Sequence, residues 1–140
     1  MEISSNFTPL NSSLYSNKER WNHDQIGFQI DSHTIESFPK LDYSEIVIFN
    51  VPDYEGTDNI NSEDDCKIRD SLYRLYFENS PKIADLGTLN LMNSRKENFN
   101  LITEVCADLI DKGIIPIVIG GGHDVSYAVY KAYVSLKKNI

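Results

Sequence analysis

Residues 114–130 read IIPIVIGGGHDVSYAVY, and this stretch decides how the rest of the chain is interpreted. A short apolar run ends in three glycines, which are followed by a histidine, an aspartate and a helical pattern. That order predicts a buried strand, a tight loop at its carboxyl end and a helix. Because α/β proteins place their sites in loops at the carboxyl ends of strands, we expect the chemistry of this chain near residues 120–124.

Two stretches upstream predict strands that belong to the same sheet. Residues 45–51 (EIVIFNV) are β-branched and apolar on both faces, which is typical of a central parallel strand. Residues 82–86 (KIADL) predict a shorter strand, and residues 114–119 predict the last one. Pro116 has no N–H to donate to a neighbouring strand, so we expect it near the start of pairing or at a bulge.

Helical periodicity follows each predicted strand. In residues 64–77, apolar side chains recur at i, i+4, i+7 and i+8 and form one stripe. Ser94 and Glu97 form a capping-box pattern at a helix start, and Gly113 stands where that helix would end. The last helical pattern begins near residues 124–126. Strands that alternate with helices predict an α/β fold, a three-layer α/β/α sandwich on a mostly parallel sheet.

The first 44 residues are the least patterned part of the chain. They are rich in Asn, Ser and Asp with scattered aromatic residues, which predicts a packed N-terminal arm of irregular elements over residues 1–44. Residues 45–140 would then form the α/β domain. His23 and His33 lie in the arm without a second ligand at helical or hairpin spacing. We therefore favour surface or hydrogen-bonded histidines over metal ligands.

Composition limits the partners that the chain can have. Its 140 residues suffice for one domain, and 41% hydrophobic with 24% charged residues indicate a globular protein. The formal net charge of −8 argues against nucleic acid and anionic membranes as partners. No apolar run approaches the roughly 20 residues of a membrane span, and the polar amino terminus lacks signal-peptide regions. We expect a cytoplasmic protein in which Cys66 and Cys106 are buried thiols rather than a disulfide.

The glycine loop at residues 120–122 suggests two kinds of site. A phosphate-binding Walker loop would end in Gly-Lys-Ser or Gly-Lys-Thr, and a dinucleotide-binding loop would have a third glycine where Val125 stands. Nucleotide binding is therefore disfavoured. The other kind is a metal site, because small neighbours let the imidazole of His123 reach a shared cleft. A histidine that only hydrogen-bonds the end of the sheet explains the same spacing equally well.

Carboxylates near the predicted strand ends are further candidate ligands. Asp124 could be a second metal ligand, but adjacent side chains point in different directions, so we favour an N-cap of the last helix. Asp53, Glu55 and Asp58 follow the first predicted strand and could also bind a metal. Their surroundings have the composition of a loop, so a solvated turn is the favoured interpretation.

The segment 113–127, with the letters IPIVIGGGHD, resembles the first metal motif of the ureohydrolase family, which comprises arginase, agmatinase and formimidoylglutamase. In that family an apolar strand that contains proline leads into Gly-Gly-x-His. Upstream features that are similar to family motifs are Val51-Pro52-Asp53 with Gly56, Ile68-Arg69, and Asp85-Leu86-Gly87. The resemblance covers residues 45–140 and implies an arginase-like fold.

The resemblance also implies a function. Family members hydrolyse a guanidino or formimidoyl C–N bond with two Mn²⁺ ions, which lower the pKa of a bridging water. It implies that His123 is a manganese ligand and that the substrate is a small amidine or guanidine. Gly122 and Asp124 favour the formimidoylglutamase branch, which converts formimidoylglutamate to glutamate and formamide, over arginase or agmatinase. Since family members commonly form trimers or hexamers, we expect a homo-oligomer.

The family takes its remaining ligands from two later motifs, Asp-x-His-x-Asp and Ser-x-Asp-x-Asp, and neither occurs in residues 1–140. We therefore expect a truncated arginase-like sheet, no catalytic residue within it, no activity from these residues alone and weak Mn²⁺ binding. An unpaired strand edge at residues 114–119 should promote self-association. The competing interpretation is a complete small α/β module that binds or assembles with a partner and has no catalysis.

Overall fold

A five-stranded sheet lies at the centre of the computed structural model, which describes residues 2–55, 64–79 and 81–137. Of residues 64–66, only the backbone is described. The strands are β1 (Phe7–Thr8), β2 (Asp31–Ser32), β3 (Ile46–Asn50), β4 (Ile83–Leu89) and β5 (Ile115–Ile119). The α-helices are α1 (Ser12–Tyr15), α2 (Ile26–Gln29), α3 (Asp64–Tyr73), α4 (Arg95–Asp111) and α5 (Val125–Ser135), and three short 3-10 helices lie in the described part of the arm.

The sheet is mostly parallel, as predicted. Strand β3 lies between β4 and β5 and is parallel to both. The far side of β4 pairs with β2 in parallel and with β1 in antiparallel orientation. The strands predicted at residues 45–51, 82–86 and 114–119 correspond to β3, β4 and β5, which confirms that these strands form. The prediction of a shorter strand at residues 82–86 is wrong, because β4 continues to Leu89. The prediction of a buried strand at residues 114–119 is also wrong, because only Ile119 of β5 is buried.

Helices α4 and α5 cover one face of the sheet, and helix α3 together with the arm covers the other face. This arrangement confirms the three-layer sandwich. On one face, Val47 and Phe49 of β3 belong to a core cluster that includes the buried sides of α4 and α5. On the other face, Ile48 belongs to a second cluster with Tyr73 of α3 and Trp21 of the arm. Because successive side chains of a strand point to opposite faces, one short apolar strand contributes to both clusters.

The ends of α4 follow the predicted signals. Ser94 Oγ accepts a hydrogen bond from the Glu97 N–H at 3.3 Å, and the Glu97 carboxylate accepts one from the Ser94 N–H at 3.1 Å. Beyond the helix, Gly113 has a φ of 79°, the left-handed conformation that glycine adopts readily. Among the helices of the described residues, none combines the length and the apolar character needed to cross a membrane.

The helix predicted over residues 64–77 is confirmed as far as Tyr73, but its predicted continuation and single apolar stripe are wrong. Helix α3 ends before Leu75 and Tyr76, and both side chains are exposed. Tyr76 pairs with Gln25 in an isolated antiparallel bridge, and the Leu75 carbonyl accepts a hydrogen bond from the Ile26 N–H at 3.0 Å. The helix therefore ends early because the arm supplies hydrogen-bond partners to the backbone that follows it.

Cys106 lies on α4 as a free and fully buried thiol. Burial raises the pKa of this thiol to about 12, so it stays protonated and unreactive near neutral pH. The side chain of Cys66 lies outside the described residues. The prediction of a buried thiol is thus confirmed for Cys106.

Pro116 interrupts no hydrogen bond between β5 and β3. The Ile115 N–H donates to the Glu45 carbonyl at 2.9 Å, and the Val51 N–H donates to the Ile119 carbonyl at 3.0 Å. Because backbone groups alternate in direction along a strand, residue 116 points its backbone away from β3 and toward the open edge. Its position near the start of pairing agrees with the prediction, and the register of this pair has no bulge.

The open edge of β5 should make these 140 residues self-associate. Within the described residues β5 pairs with β3 alone, and Ile115 and Ile117 are 56% and 43% exposed. An exposed apolar edge is a template for another strand. We expect a concentration-dependent dimer in analytical ultracentrifugation that Ile117→Lys shifts toward monomer. The matched change Ile35→Lys, at an exposed isoleucine of the arm, should not do so, and a wild-type monomer at high concentration would contradict the prediction.

Candidate metal centre

Two loops meet at the carboxyl ends of neighbouring strands. Residues 51–55 follow β3, and residues 120–124 follow β5. The Gly122 N–H donates to the Asp53 carbonyl at 2.9 Å, so the two loops are joined through their backbones. The glycine loop therefore lies at the edge of the sheet where the sequence predicts chemistry.

Gly121 makes this close approach possible. Its φ is 78°, in the left-handed region that side chains other than glycine resist. A Cβ at this position would lie 3.1 Å from the Val51 carbonyl oxygen, 3.2 Å from the Asp53 carbonyl oxygen and 2.8 Å from Val125 Cγ2. Contacts this short would force the neighbours to move, so a side chain at residue 121 would displace the loop.

His123 follows these glycines with its side chain exposed. Its backbone is fixed as α5 begins, because its carbonyl accepts a hydrogen bond from the Ser126 N–H at 3.2 Å. Within the part of the chain that the structure describes, the imidazole has no hydrogen-bond or ion-pair partner. The geometry therefore leaves the ring accessible and does not favour a histidine tied to the sheet end. The metal role of His123 stays a prediction.

Asp124 occupies the N-cap position of α5, so the predicted position is confirmed. Its side chain makes no cap hydrogen bond, so the capping interaction expected of it is wrong. Its carboxylate instead forms an ion pair with Arg95, at the start of α4. A cation from the neighbouring helix thus competes successfully for the carboxylate. The pair joins the starts of the two helices next to His123.

Asp53 is buried, so the predicted solvated turn is wrong at this residue. It is 3% exposed, its Oδ1 accepts a hydrogen bond from the Glu55 N–H at 3.4 Å, and its Oδ2 has no partner among the described residues. Glu55 is exposed, as a solvated turn requires. Asp58 lies outside the described residues. The contact with the glycine loop accounts for the difference, because it covers the start of the turn and leaves Glu55 in solvent.

The two histidines of the arm are placed as predicted. His33 is buried, and its Nδ1 lies 2.8 Å from the Leu86 carbonyl oxygen, which is a hydrogen bond to β4. His23 is exposed and stacks on Phe28 with ring centroids 4.3 Å apart. Neither is part of a group of three His, Cys, Asp or Glu side chains that could hold a metal ion, within the described residues.

A buried ion pair between Arg69 of α3 and Asp85 holds β4 in place. The helical periodicity of the sequence does not predict this pair. The Asp85 carboxylate accepts hydrogen bonds from Arg69 Nε at 2.8 Å and Nη2 at 2.9 Å, from the Tyr73 hydroxyl at 2.8 Å and from the Gly87 N–H at 3.0 Å. Burial, and then the charge of Asp85, raise the pKa of Tyr73 well above its usual value. The feature of the sequence that indicates this pair is Asp85, because a carboxylate in an apolar strand requires a buried hydrogen-bond donor.

Among the described residues, the side chain accessible to a metal in the loop at residues 120–124 is the imidazole of His123, which by itself is not a complete metal site. No three potential ligand side chains are grouped among them. An imidazole suits Mn²⁺ when oxygen ligands accompany it, whereas one imidazole alone does not hold the ion tightly. The donor type of His123 therefore fits a manganese centre to which further oxygen ligands are added.

Comparisons with known proteins agree with the architecture. A protein-family model described as the arginase family matches residues 56–140, and a comparison with curated protein sequences finds no match. Formiminoglutamase from Trypanosoma cruzi with Mn²⁺ is similar with a TM-score of 0.58 and 22% identity, over 71% of this chain and 41% of that one. A putative agmatinase from Clostridium difficile gives 0.58 and 21%, over 70% and 40%.

A third similar structure is agmatine ureohydrolase from Thermoplasma volcanium, with a TM-score of 0.57 and 18% identity over 87% of this chain and 41% of that one. Identities this low establish similarity of fold alone. The chain spans about 40% of the length of the proteins that it matches in structure.

Proposed function

The chain belongs to the arginase family, and from this premise we propose that it forms the amino-terminal part of a metal-dependent hydrolase that cleaves a guanidino or formimidoyl C–N bond. The observation that carries the proposal is the glycine loop at residues 120–122. It packs against the loop after β3 and presents the exposed imidazole of His123 at the carboxyl edge of the sheet. Sites of parallel α/β proteins collect at that edge.

We propose Mn²⁺ as the metal and His123 as the ligand that these residues supply. Bound Mn²⁺ would supply Lewis acidity and lower the pKa of a coordinated water. The backbone hydrogen bond from Gly122 to Asp53 fixes the glycine loop, and the Arg95–Asp124 ion pair fixes the start of α5 beside the imidazole. These residues orient a ligand, and by themselves they should bind Mn²⁺ weakly and show no turnover.

The proposed substrate is a small amidine, with N-formimidoyl-L-glutamate favoured over agmatine and arginine. The support is the sequence Gly-Gly-Gly-His-Asp at residues 120–124. Similarity in fold does not separate the substrates, because the formiminoglutamase and the putative agmatinase have the same TM-score of 0.58. Release of formamide and glutamate would identify the formimidoyl substrate, and release of urea would identify a guanidino substrate. A panel of these three compounds, assayed with the complete natural polypeptide and Mn²⁺, distinguishes the branches.

His123→Ala tests the metal role in the complete natural polypeptide. Changes to groups that only orient a ligand cost about 10–100-fold, so loss of a ligand should lower activity by about 100-fold or more and reduce the bound Mn²⁺. The matched control is His23→Ala, because that ring is exposed and stacks on Phe28 of the arm. Activity and Mn²⁺ content that are unchanged in both variants would refute the proposal and favour a non-catalytic α/β module.

A further inference from the structure

A groove with a volume of about 660 Å³ lies between α4 and α5, and its lining residues fall within 95–103 and 124–131. Ala128 lies at its floor and is fully buried. Thr103 Oγ1 donates to the Ala128 carbonyl at 3.0 Å and so links the two helices beneath the opening. A small residue at this point lets the helices approach closely at the floor, and larger side chains form the walls.

Aromatic side chains on both helices line the groove. Phe99 contributes from α4, and Tyr127, which is 57% exposed, contributes from α5. A cation lies over each ring: the Arg95 guanidinium is 5.4 Å from the Phe99 centroid, and Lys131 Nζ is 5.8 Å from the Tyr127 centroid. The walls therefore combine flat apolar surface with positive charge.

The positive charge of the groove is only partly neutralised. Arg95 pairs with Asp124, which is the sole carboxylate among the lining residues. Lys96 and Lys131 also line the groove, and neither has an ion-pair partner within the residues that the structure describes. The chain as a whole has a formal net charge of −8. A basic groove on an acidic protein is complementary to an anion.

We propose that the groove between α4 and α5 binds a small organic anion, in which a phosphate or carboxylate group is attached to an aromatic or other planar body. The anionic group would contact the ammonium groups of Lys96 and Lys131, and the planar body would stack on Phe99 and Tyr127. The volume lies within the roughly 300–1,000 Å³ of small-molecule sites. A polyanion is disfavoured because the acidic remainder of the surface would repel it. The site requires neither His123 nor a metal.

The probe is phenyl phosphate, titrated into the protein by isothermal calorimetry without divalent cations. Lys131→Ala and Lys96→Ala should each weaken its affinity about fivefold, which is the range for a charged contact near a surface. The matched control is Lys112→Ala, because that lysine lies beyond the far end of α4 and pairs with Asp108 at 2.8 Å. All three lysines are exposed, so the variants should fold. If the three variants bind phenyl phosphate with equal affinity, the proposal is overturned.

A second arm tests the planar body. Tyr127→Ala should weaken the binding of phenyl phosphate and leave that of inorganic phosphate unchanged, whereas Tyr43→Ala, at an exposed tyrosine elsewhere, should affect neither. Benzoate distinguishes carboxylate from phosphate as the anionic group, and binding of either aryl anion supports the proposal. If inorganic phosphate binds as tightly as phenyl phosphate, the groove is a surface cation cluster and the proposal fails. His123→Ala should leave these affinities unchanged, which separates this test from that of the metal role.

Discussion

Asp85→Ala should lower the free energy of unfolding by about 3–5 kcal/mol. The Asp85 carboxylate is fully buried and accepts four hydrogen bonds, two of them from the guanidinium of Arg69. Arg69 is itself 2% exposed, so the variant leaves a buried cation without this carboxylate. The Tyr73 hydroxyl loses its acceptor at the same time. Urea denaturation measures the loss of unfolding free energy. It is taken from the shift in the midpoint, provided that the free energy falls with urea concentration at the same slope in both proteins.

Two comparisons separate the buried pair from a general loss of charge. Asp108→Ala removes a partly exposed carboxylate that pairs with Lys112, and it should cost less than about 1 kcal/mol. The double variant Arg69→Met with Asp85→Leu replaces both charges by apolar groups and should recover much of the stability lost in Asp85→Ala. If Asp85→Ala costs no more than Asp108→Ala, the buried pair does not hold β4 in place.

The sheet could be predicted from the sequence because its strands are short apolar runs. Residues 45–51 and 114–119 are apolar at most positions, and the central strand β3, which is covered on both faces, requires that pattern. The glycines after Ile119 mark where the chain leaves the sheet. Since parallel strands joined by helices have few allowed connections, the three-layer arrangement follows from the order of the elements.

The burial of charged groups could not be predicted from the same local pattern. Asp53 stands in a polar loop and Asp85 in a short strand, yet they are 3% and 0% exposed. A carboxylate is buried only where a distant segment covers it or supplies donors, and a local window of sequence contains no such segment. The pairing of Asp124 with Arg95 was missed for the same reason, because a capping pattern considers only the helix that follows.

Gly121→Ala should lower the free energy of unfolding by about 2–4 kcal/mol and displace the loop that carries His123. The left-handed backbone costs an alanine about 1 kcal/mol. The added Cβ would lie 3.1 Å from the Val51 carbonyl oxygen and 3.2 Å from the Asp53 carbonyl oxygen, and such overpacking adds about 1–3 kcal/mol. Urea denaturation measures the sum of the two effects.

Gly113→Ala is the matched control, because it shares the backbone conformation without the contact. Gly113 has a φ of 79°, and a Cβ there would have no atom within 4 Å. Gly113→Ala should therefore lower the free energy of unfolding only by the cost of a left-handed backbone at alanine, about 1 kcal/mol. The difference between the two variants isolates the contact between the glycine loop and the loop after β3.

The same pair of variants tests how His123 is positioned without altering its imidazole. The Gly122 N–H that bonds Asp53 belongs to the residue directly before His123, so a shift at Gly121 is transmitted to the ring. In the complete natural polypeptide, Gly121→Ala should weaken Mn²⁺ binding by about tenfold or more, as changes that misorient a ligand do. Gly113→Ala, at the opposite end of β5, should leave it unchanged. Equal Mn²⁺ affinities would mean that the contact between the loops stabilises the fold but does not orient the ligand.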